Sequence, residues 1–134
     1  MKNPVNIALG VVGMLMLLAM LFHLFGRGFH SNPDPAHWVV EGGDARRGRH
    51  LMVTHGCASC HVIPGIREAK ARVGPQLHGF RHQIYIAGRL QNTPENLVRW
   101  IHDPEAIDPL TAMPTVAMTE QDARDLAAYL LVQD

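Results

Sequence analysis

The longest apolar run of the chain lies near its amino terminus. From Ile7 to Phe25 there are 19 residues without a charged side chain, mostly Leu, Met and Val. As a helix, this run would be about 28 Å long, close to the roughly 30 Å of a bilayer's hydrocarbon core. A cleavable signal peptide would have a shorter apolar region, about 7 to 15 residues, followed by small residues at the cleavage site. The pattern therefore favours an uncleaved transmembrane signal anchor over residues 1–25, with a cleaved signal as the alternative.

Three later stretches repeat apolar residues at the spacing of one helical face. Each follows a residue suited to cap a helix, namely Asp44, Thr93 and Thr119. The three apolar faces are Ala45, Gly48, Leu51 and Met52, then Leu97, Trp100 and Ile101, and finally Ala123, Leu126, Ala127, Leu130 and Leu131. Because Gly48 lowers helix stability relative to alanine, its presence favours a close crossing by another element, with a tolerated glycine as the alternative. We predict an all-α domain over residues 44–134, with its last helix packed on its first.

Segments rich in proline and glycine connect these elements. Residues 26–43 contain Pro33, Pro35 and two adjacent glycines, and we interpret them as a tether between anchor and domain. The apolar group that begins at Trp38 is either the first packing contact of the domain or an anchor at the membrane surface. The segment Asp108–Pro114 is extended, proline-bounded chain, which places Met113 on a loop.

Charge adds little to this organisation. The chain has 12 Lys and Arg against 12 Asp and Glu, so its net charge does not indicate binding to nucleic acid. The distribution is uneven, because residues 103–134 hold seven acidic residues and one basic residue, Arg124. Two interpretations remain open: an ordinary solvated surface, or a dipole that orients docking with a charged redox partner.

The run from Cys57 to His61 is the most specific motif. Its two cysteines are the only ones in the chain, and the histidine follows the second directly. In an exported protein, Cys-x-x-Cys-His is the attachment site of a c-type haem, whose proximal iron ligand is the histidine. The alternatives are a zinc site, which needs about four ligands, a thioredoxin-like thiol pair and a plain disulfide. We predict one covalently bound haem c.

A second axial ligand is expected on the loop before the last helix. Met113 is the first candidate, because a thioether is a soft ligand for haem iron and raises its reduction potential relative to a second histidine. Met118 is the second choice. A bis-histidine site would use one of three residues: His78, His82 or His102. The Pro75 carbonyl is suited to accept a hydrogen bond from the proximal imidazole.

From about Gly43 to Val132, these residues resemble class I cytochrome c. The shared motifs are Cys57-x-x-Cys60-His61, Gly74-Pro75-x-Leu77 and Met113-Pro114. The resemblance implies three to four short helices around one haem, with the first and last helices crossing near Gly48 and Tyr129. It also implies that the Pro75 carbonyl holds the His61 imidazole, that Leu77 belongs to the haem site, and that Arg81 and Trp100 hydrogen-bond a haem propionate.

The segment from Asn92 to Pro104 is similar to cytochrome c domains associated with haem-copper terminal oxidases. Those domains often carry Lys-Pro-Gly before the Met-Pro pair, where this chain has Asp108-Pro109-Leu110-Thr111. The resemblance implies a membrane-anchored electron carrier, not an enzyme, that takes electrons from a quinol-oxidising complex and delivers them to a haem-copper oxidase. Because c-type haem is attached outside the cytoplasmic membrane, we expect the haem domain on the periplasmic side of a bacterial inner membrane. Two alternatives are a haem subunit of a periplasmic dehydrogenase, and a haem enzyme or sensor with a displaceable sixth ligand.

Overall fold

The computed structural model describes residues 3–26 and 38–133, which form two separate compact units. The first unit is helix α1 (Pro4–Gly26). Its segment Pro4–Leu24 has a mean hydropathy of 2.4, so this helix is long and apolar enough to be a candidate membrane span. Most of the expected tether, residues 27–37, lies outside the described residues.

The second unit is mainly helical. Its elements in chain order are α2 (Ala45–Thr54), a 3-10 turn (Cys57–Ser59), a second 3-10 turn (Phe80–His82), β1 (Tyr85–Ile86), β2 (Leu90–Gln91), α3 (Pro94–His102), α4 (Pro104–Ile107) and α5 (Glu120–Val132). The two strands pair antiparallel, with Ile86 opposite Leu90. The predicted fold class is confirmed, because four helices make up most of the regular structure described for this unit.

The three predicted helix starts are confirmed by their capping hydrogen bonds. The Asp44 carboxylate accepts from two backbone N–H groups of the first turn of α2. The Thr93 hydroxyl accepts from the Asn96 backbone N–H, and a proline occupies the first turn of α3. Thr119 and Asp122 form a capping box at α5, each side chain accepting from the other's backbone N–H. Each cap satisfies N–H groups that the helix itself leaves without a partner.

The hairpin β1–β2 and helix α4 were not predicted. The hairpin turn has positive φ angles at Ala87 (49°) and Gly88 (68°), the pattern of the tight turns that match strand twist. Asp103 follows α3 and accepts from the Ala106 N–H, so a new helical turn begins where the sequence predicts only a stop. These elements are too short for hydrophobic periodicity to detect.

Helices α2 and α5 cross in direct backbone contact. A β-carbon on Gly48 would lie 1.9 Å from the Asp125 carbonyl oxygen and 3.0 Å from the Tyr129 β-carbon. The close crossing expected at Gly48 is therefore present, and only a residue without a side chain allows it. Leu126 and Ala127 on α5 have no exposed surface, which places this helix at the centre of the core.

Polar contacts fasten the start of this unit to α5. The Arg47 guanidinium donates to the carboxylates of both Asp122 and Asp125. Asp125 is only 1% exposed and also accepts from the Asp44 N–H at 2.8 Å. Trp38 is half-buried and packs against the core, which favours the packing role left open above.

The acidic residues of the carboxy-terminal segment are largely paired. In addition to the two partners of Arg47, Asp108 binds Arg89 at 2.8 Å and Glu120 binds Arg124 at 2.6 Å. Two of these arginines, Arg47 and Arg89, belong to the basic part of the sequence. Four of the seven acidic residues of this segment thus have a basic partner in the folded domain.

Candidate functional site

The Cys-x-x-Cys-His motif occupies a compact turn directly after α2. Gly56 adopts the left-handed conformation (φ 77°), so the chain does not continue along the axis of α2. The N–H groups of Cys60 and His61 then both bond the Cys57 carbonyl, at 3.2 and 3.0 Å. This turn brings both thiols and the imidazole to the lining of one cavity.

Neither cysteine forms a disulfide, and both are half-buried. Burial is the largest cause that raises the pKa of the Cys57 thiol above its ordinary value. A thioredoxin-like redox pair depends on the opposite shift, a thiol pKa lowered by its surroundings. Within residues 3–26 and 38–133, no three His, Cys, Asp or Glu residues are grouped to hold a metal ion. The two thiols therefore fit covalent attachment of a cofactor better than a disulfide, a thioredoxin-like pair or a zinc site.

His61 is held by the backbone of the segment that follows it. Its Nδ1 lies 2.7 Å from the Pro75 carbonyl oxygen. Because that oxygen can only accept a hydrogen bond, Nδ1 carries the proton and Nε2 keeps its lone pair for a metal. A β-carbon on Gly74 would lie 2.5 Å from His61 Cε1, so the ring packs directly on the glycine. The Pro75 carbonyl and Gly74 thus restrain the position of the imidazole and leave Nε2 as the nitrogen without a proton.

The cavity has a volume of about 280 Å³. Apolar side chains from several elements line it, including Met52, Leu77, Phe80, Ile86, Leu97 and Leu126. Apart from Met52, which lies on α2 just before the motif, these residues belong to segments distant in sequence from Cys57. An apolar cavity with two thiols and one oriented imidazole in its lining fits a covalently attached haem, whose macrocycle is apolar.

Both methionine candidates for the second axial ligand line the cavity. Met113 and Met118 are each half-buried and pack against the core. Met113 belongs to a continuous cavity-lining segment, Thr111–Pro114, and its N–H bonds the Thr111 hydroxyl at 3.2 Å. The three histidine candidates, His78, His82 and His102, are exposed and are not part of the cavity lining.

The remaining expected site residues divide into two groups. Leu77 and Trp100 are buried and line the cavity together with Pro75. Arg81, in the second 3-10 turn, is not part of the lining, and its Nε lies 3.4 Å from His82 Nε2. The structure therefore brings Trp100 to the cavity but does not bring Arg81 to its wall.

Two features of the site were missed by sequence reasoning. The hairpin contributes Ile86 and Ala87 to the cavity lining. The amide of Asn92, which is 4% exposed, donates to the Phe80 carbonyl at 2.9 Å and the Gln83 carbonyl at 3.0 Å. This amide fixes the loop from which Phe80 enters the cavity lining. In the sequence, the signal for it was the position of Asn92 directly before the cap residue Thr93.

Comparison with known proteins agrees with this geometry. The family model described as cytochrome c matches residues 45–133. Two solved structures have a similar fold: cytochrome c2 from Rhodobacter sphaeroides (TM-score 0.50, 22% identity, 66% of this chain and 94% of that chain) and cytochrome c2 from Rhodobacter capsulatus (TM-score 0.51, 23% identity, 67% and 97%). The expected class I cytochrome c fold is thereby confirmed.

Sequence relatives point to one group of larger proteins. The chain is 37% identical over 87 residues to cytochrome c oxidase subunit 2 of Alkalihalophilus pseudofirmus, a match that covers 64% of this chain and 25% of the relative. It is 31% identical over 87 residues to cytochrome c oxidase subunit 2 of Bacillus subtilis, covering 63% and 24%. The chain therefore spans about a quarter of the length of these relatives.

Proposed function

This chain belongs to the cytochrome c family, and we propose that it is a membrane-anchored monohaem cytochrome that carries single electrons in a respiratory chain. Family membership itself implies covalently bound haem c and a role in electron transfer. The main support for the proposal is that four residues line one apolar cavity: Cys57, Cys60, His61 and Met113.

His61 and Met113 are the proposed iron ligands. The haem iron supplies a one-electron couple whose potential depends on its axial ligands. His61 is suited to ligation because the Pro75 carbonyl holds the proton on Nδ1. Met113 is preferred to Met118 because it lies in a loop segment of which every residue from Thr111 to Pro114 lines the cavity. Both proposed ligands are protein side chains, so no position is left for a substrate.

The other proposed haem-site residues lie in the cavity wall or near it. Leu77 and Trp100 exclude water from it, because both are buried and line it. We propose that the Trp100 indole N–H donates to a propionate, because Trp100 lies in the cavity lining. Arg81 carries a cation in the 3-10 turn that contributes Phe80 to the lining, and we propose it as a propionate partner on charge alone.

The domain organisation is proposed with the boundaries expected from the sequence. Residues 1–25 form the transmembrane anchor, 26–43 the tether and 44–134 the haem domain. Helix α1 supports the anchor, since about 35 Å of apolar helix is enough to cross a bilayer. We place the haem domain on the periplasmic side of the bacterial inner membrane, because haem is attached to Cys-x-x-Cys-His outside the cytoplasm.

The proposed acceptor is a haem-copper terminal oxidase, and the proposed donor is a quinol-oxidising complex. Support for the acceptor comes from the relatives named cytochrome c oxidase subunit 2. A membrane anchor would raise the effective concentration of the haem domain near partners in the same membrane.

The test is a reduced-minus-oxidised spectrum of the full-length protein, purified in mild detergent from its native membrane. We expect c-type haem with methionine ligation in the ferric protein and no binding of carbon monoxide to the ferrous protein at neutral pH. Rapid carbon monoxide binding would contradict the carrier and favour a haem enzyme or sensor. Co-purification of a dehydrogenase in place of an oxidase would contradict the proposed acceptor, and absence of haem would overturn the whole proposal.

A further inference from the structure

An ion pair joins the hairpin to the loop that carries Met113. Arg89 directly follows the tight hairpin turn, and its Nε donates to Asp108 Oδ2 at 2.8 Å. The hairpin residues Ile86 and Ala87 line the cavity, and so does the segment Thr111–Pro114 that follows Asp108. The ion pair therefore connects two segments that both contribute to the cavity wall.

Asp108 also organises the loop on its own side of the ion pair. Its second carboxylate oxygen accepts from the Leu110 N–H at 3.1 Å. Its carbonyl accepts from the Thr111 N–H at 3.0 Å, and the Thr111 hydroxyl accepts from the Met113 N–H at 3.2 Å. A continuous series of hydrogen bonds thus runs from the Arg89 side chain to the backbone of Met113.

Met113 is the residue of segment 108–114 that packs against the core. Leu110 is 89% exposed, and Ala112 and Pro114 are exposed as well. The Asp108 side chain, in contrast, is only 16% exposed. The Arg89 hydrogen bond is the largest cause that lowers the pKa of Asp108, so the carboxylate stays ionised near neutral pH. Polar contacts at Asp108 therefore restrain the loop before Met113, while the Thr115 hydroxyl, which donates to Asp103 at 3.1 Å, restrains it afterwards.

We propose that Arg89 and Asp108 are positioning residues that hold Met113 at the sixth position of the haem iron and set how easily another ligand displaces it. This inference rests on the proposed function, because it takes Met113 as the ligand. It also gives a role to Asp108, which stands where similar domains often carry a Lys-Pro-Gly sequence. The acidic residue there serves the chain's own loop, because its charge is paired internally.

The test measures displacement of the sixth ligand by imidazole in the ferric, full-length protein in detergent. We expect Arg89→Met to bind imidazole about fivefold more tightly than the wild type, the size expected when one partly exposed ion pair is lost. Asp108→Asn should have a similar effect. The double variant should match the singles, because both remove the same interaction. Arg89→Lys should restore part of the wild-type behaviour, because it keeps the charge.

Arg124→Met is the matched control. It removes the exposed ion pair between Arg124 and Glu120 on α5, and neither residue lines the cavity. Its imidazole affinity should equal that of the wild type. The inference is wrong if Arg89→Met and Asp108→Asn bind imidazole no more tightly than this control.

A further variant separates this inference from the ligand proposal. Met113→Ala should bind imidazole much more tightly than the wild type and lack the methionine-to-iron charge-transfer band. If it does so while Arg89→Met resembles the control, the ligand proposal stands and only the positioning role is wrong. If Met113→Ala has the imidazole affinity and the charge-transfer band of the wild type, Met113 is not the displaced ligand, and both proposals are overturned.

Discussion

The α-carbon of Gly48 lies so close to α5 that a β-carbon on it would stand 1.9 Å from the carbonyl oxygen of Asp125. A backbone atom cannot move aside as a flexible side chain can. We therefore expect Gly48→Ala to separate α2 from α5 and to lower the free energy of unfolding by about 3 kcal/mol. Guanidinium unfolding of the haem-loaded protein measures this loss.

The matched control for this crossing is Val53→Ala. Val53 is exposed on the same helix, so its truncation should change the free energy of unfolding by no more than about 0.5 kcal/mol. Equal denaturation midpoints for the two variants would show that the crossing tolerates a side chain.

Gly74 supports the ring of His61. A β-carbon there would lie 2.5 Å from Cε1 and 2.8 Å from Nδ1 of the imidazole, so Gly74→Ala should displace the ring and break its hydrogen bond to the Pro75 carbonyl. Because that bond raises the basicity of the ligand, its loss should raise the reduction potential. A redox titration measures the change, with Arg72→Ala at a nearby exposed position as control. A potential equal to that of the control would contradict the predicted role of Gly74.

Met113 and Met118 both line the cavity, so substitution must distinguish them. We expect Met113→His to retain covalent haem and to have a lower reduction potential, because a second histidine stabilises ferric iron relative to methionine. Met118→Ala should keep the methionine-to-iron charge-transfer band of the ferric spectrum. Loss of that band in Met118→Ala alone would transfer the ligand role to Met118.

Acid should weaken the connection between α2 and α5. Hydrogen bonds from the Thr119 side chain and N–H, followed by Arg47, lower the pKa of Asp122 in the folded protein. A carboxyl whose folded pKa is depressed adds stability above its unfolded pKa, and that stability is lost as pH falls through the folded value. The denaturant concentration at the unfolding midpoint should therefore decrease once the pH is lowered past about 4, the ordinary pKa of aspartate.

Arg47→Met should unfold at a lower denaturant concentration at neutral pH and should lose less stability on acidification. Arg124→Met, which breaks an exposed pair, should keep the wild-type pH dependence. If the unfolding midpoints of the wild type and Arg47→Met change with pH in the same way, Arg47 does not contribute to the loss of stability in acid.

The buried amide of Asn92 is expected to hold the loop between the second 3-10 turn and the hairpin. Asn92→Ala would remove the side-chain donor from both carbonyls. The Phe80 carbonyl keeps the Gln83 N–H at 3.1 Å, so the expected cost of about 2 kcal/mol comes mainly from the Gln83 carbonyl. Asn96→Ala, which removes a more exposed bond to the Gln91 carbonyl, is the control. Thermal unfolding of both variants measures the difference, and equal midpoints would contradict the prediction.

Local features of this chain were predictable. The caps at Asp44, Thr93 and Thr119 act on N–H groups two or three residues away, so their short-range pattern locates the starts of α2, α3 and α5. Cys57, Cys60 and His61 are contiguous, so one turn of backbone brings them together whatever the rest of the fold does. Gly48 indicated the helix crossing because glycine in the middle of a helix costs stability relative to alanine.

The apolar amino-terminal segment, the three main helices and the attachment motif can thus be located from the sequence, because each depends on interactions within a few residues. Three relationships emerge only on folding: Arg89 binds Asp108, Arg47 joins two carboxylates of α5, and Trp100 but not Arg81 lines the cavity. Those contacts join residues 19 or more positions apart. Their formation depends on how the whole domain packs, and no local pattern carries that information.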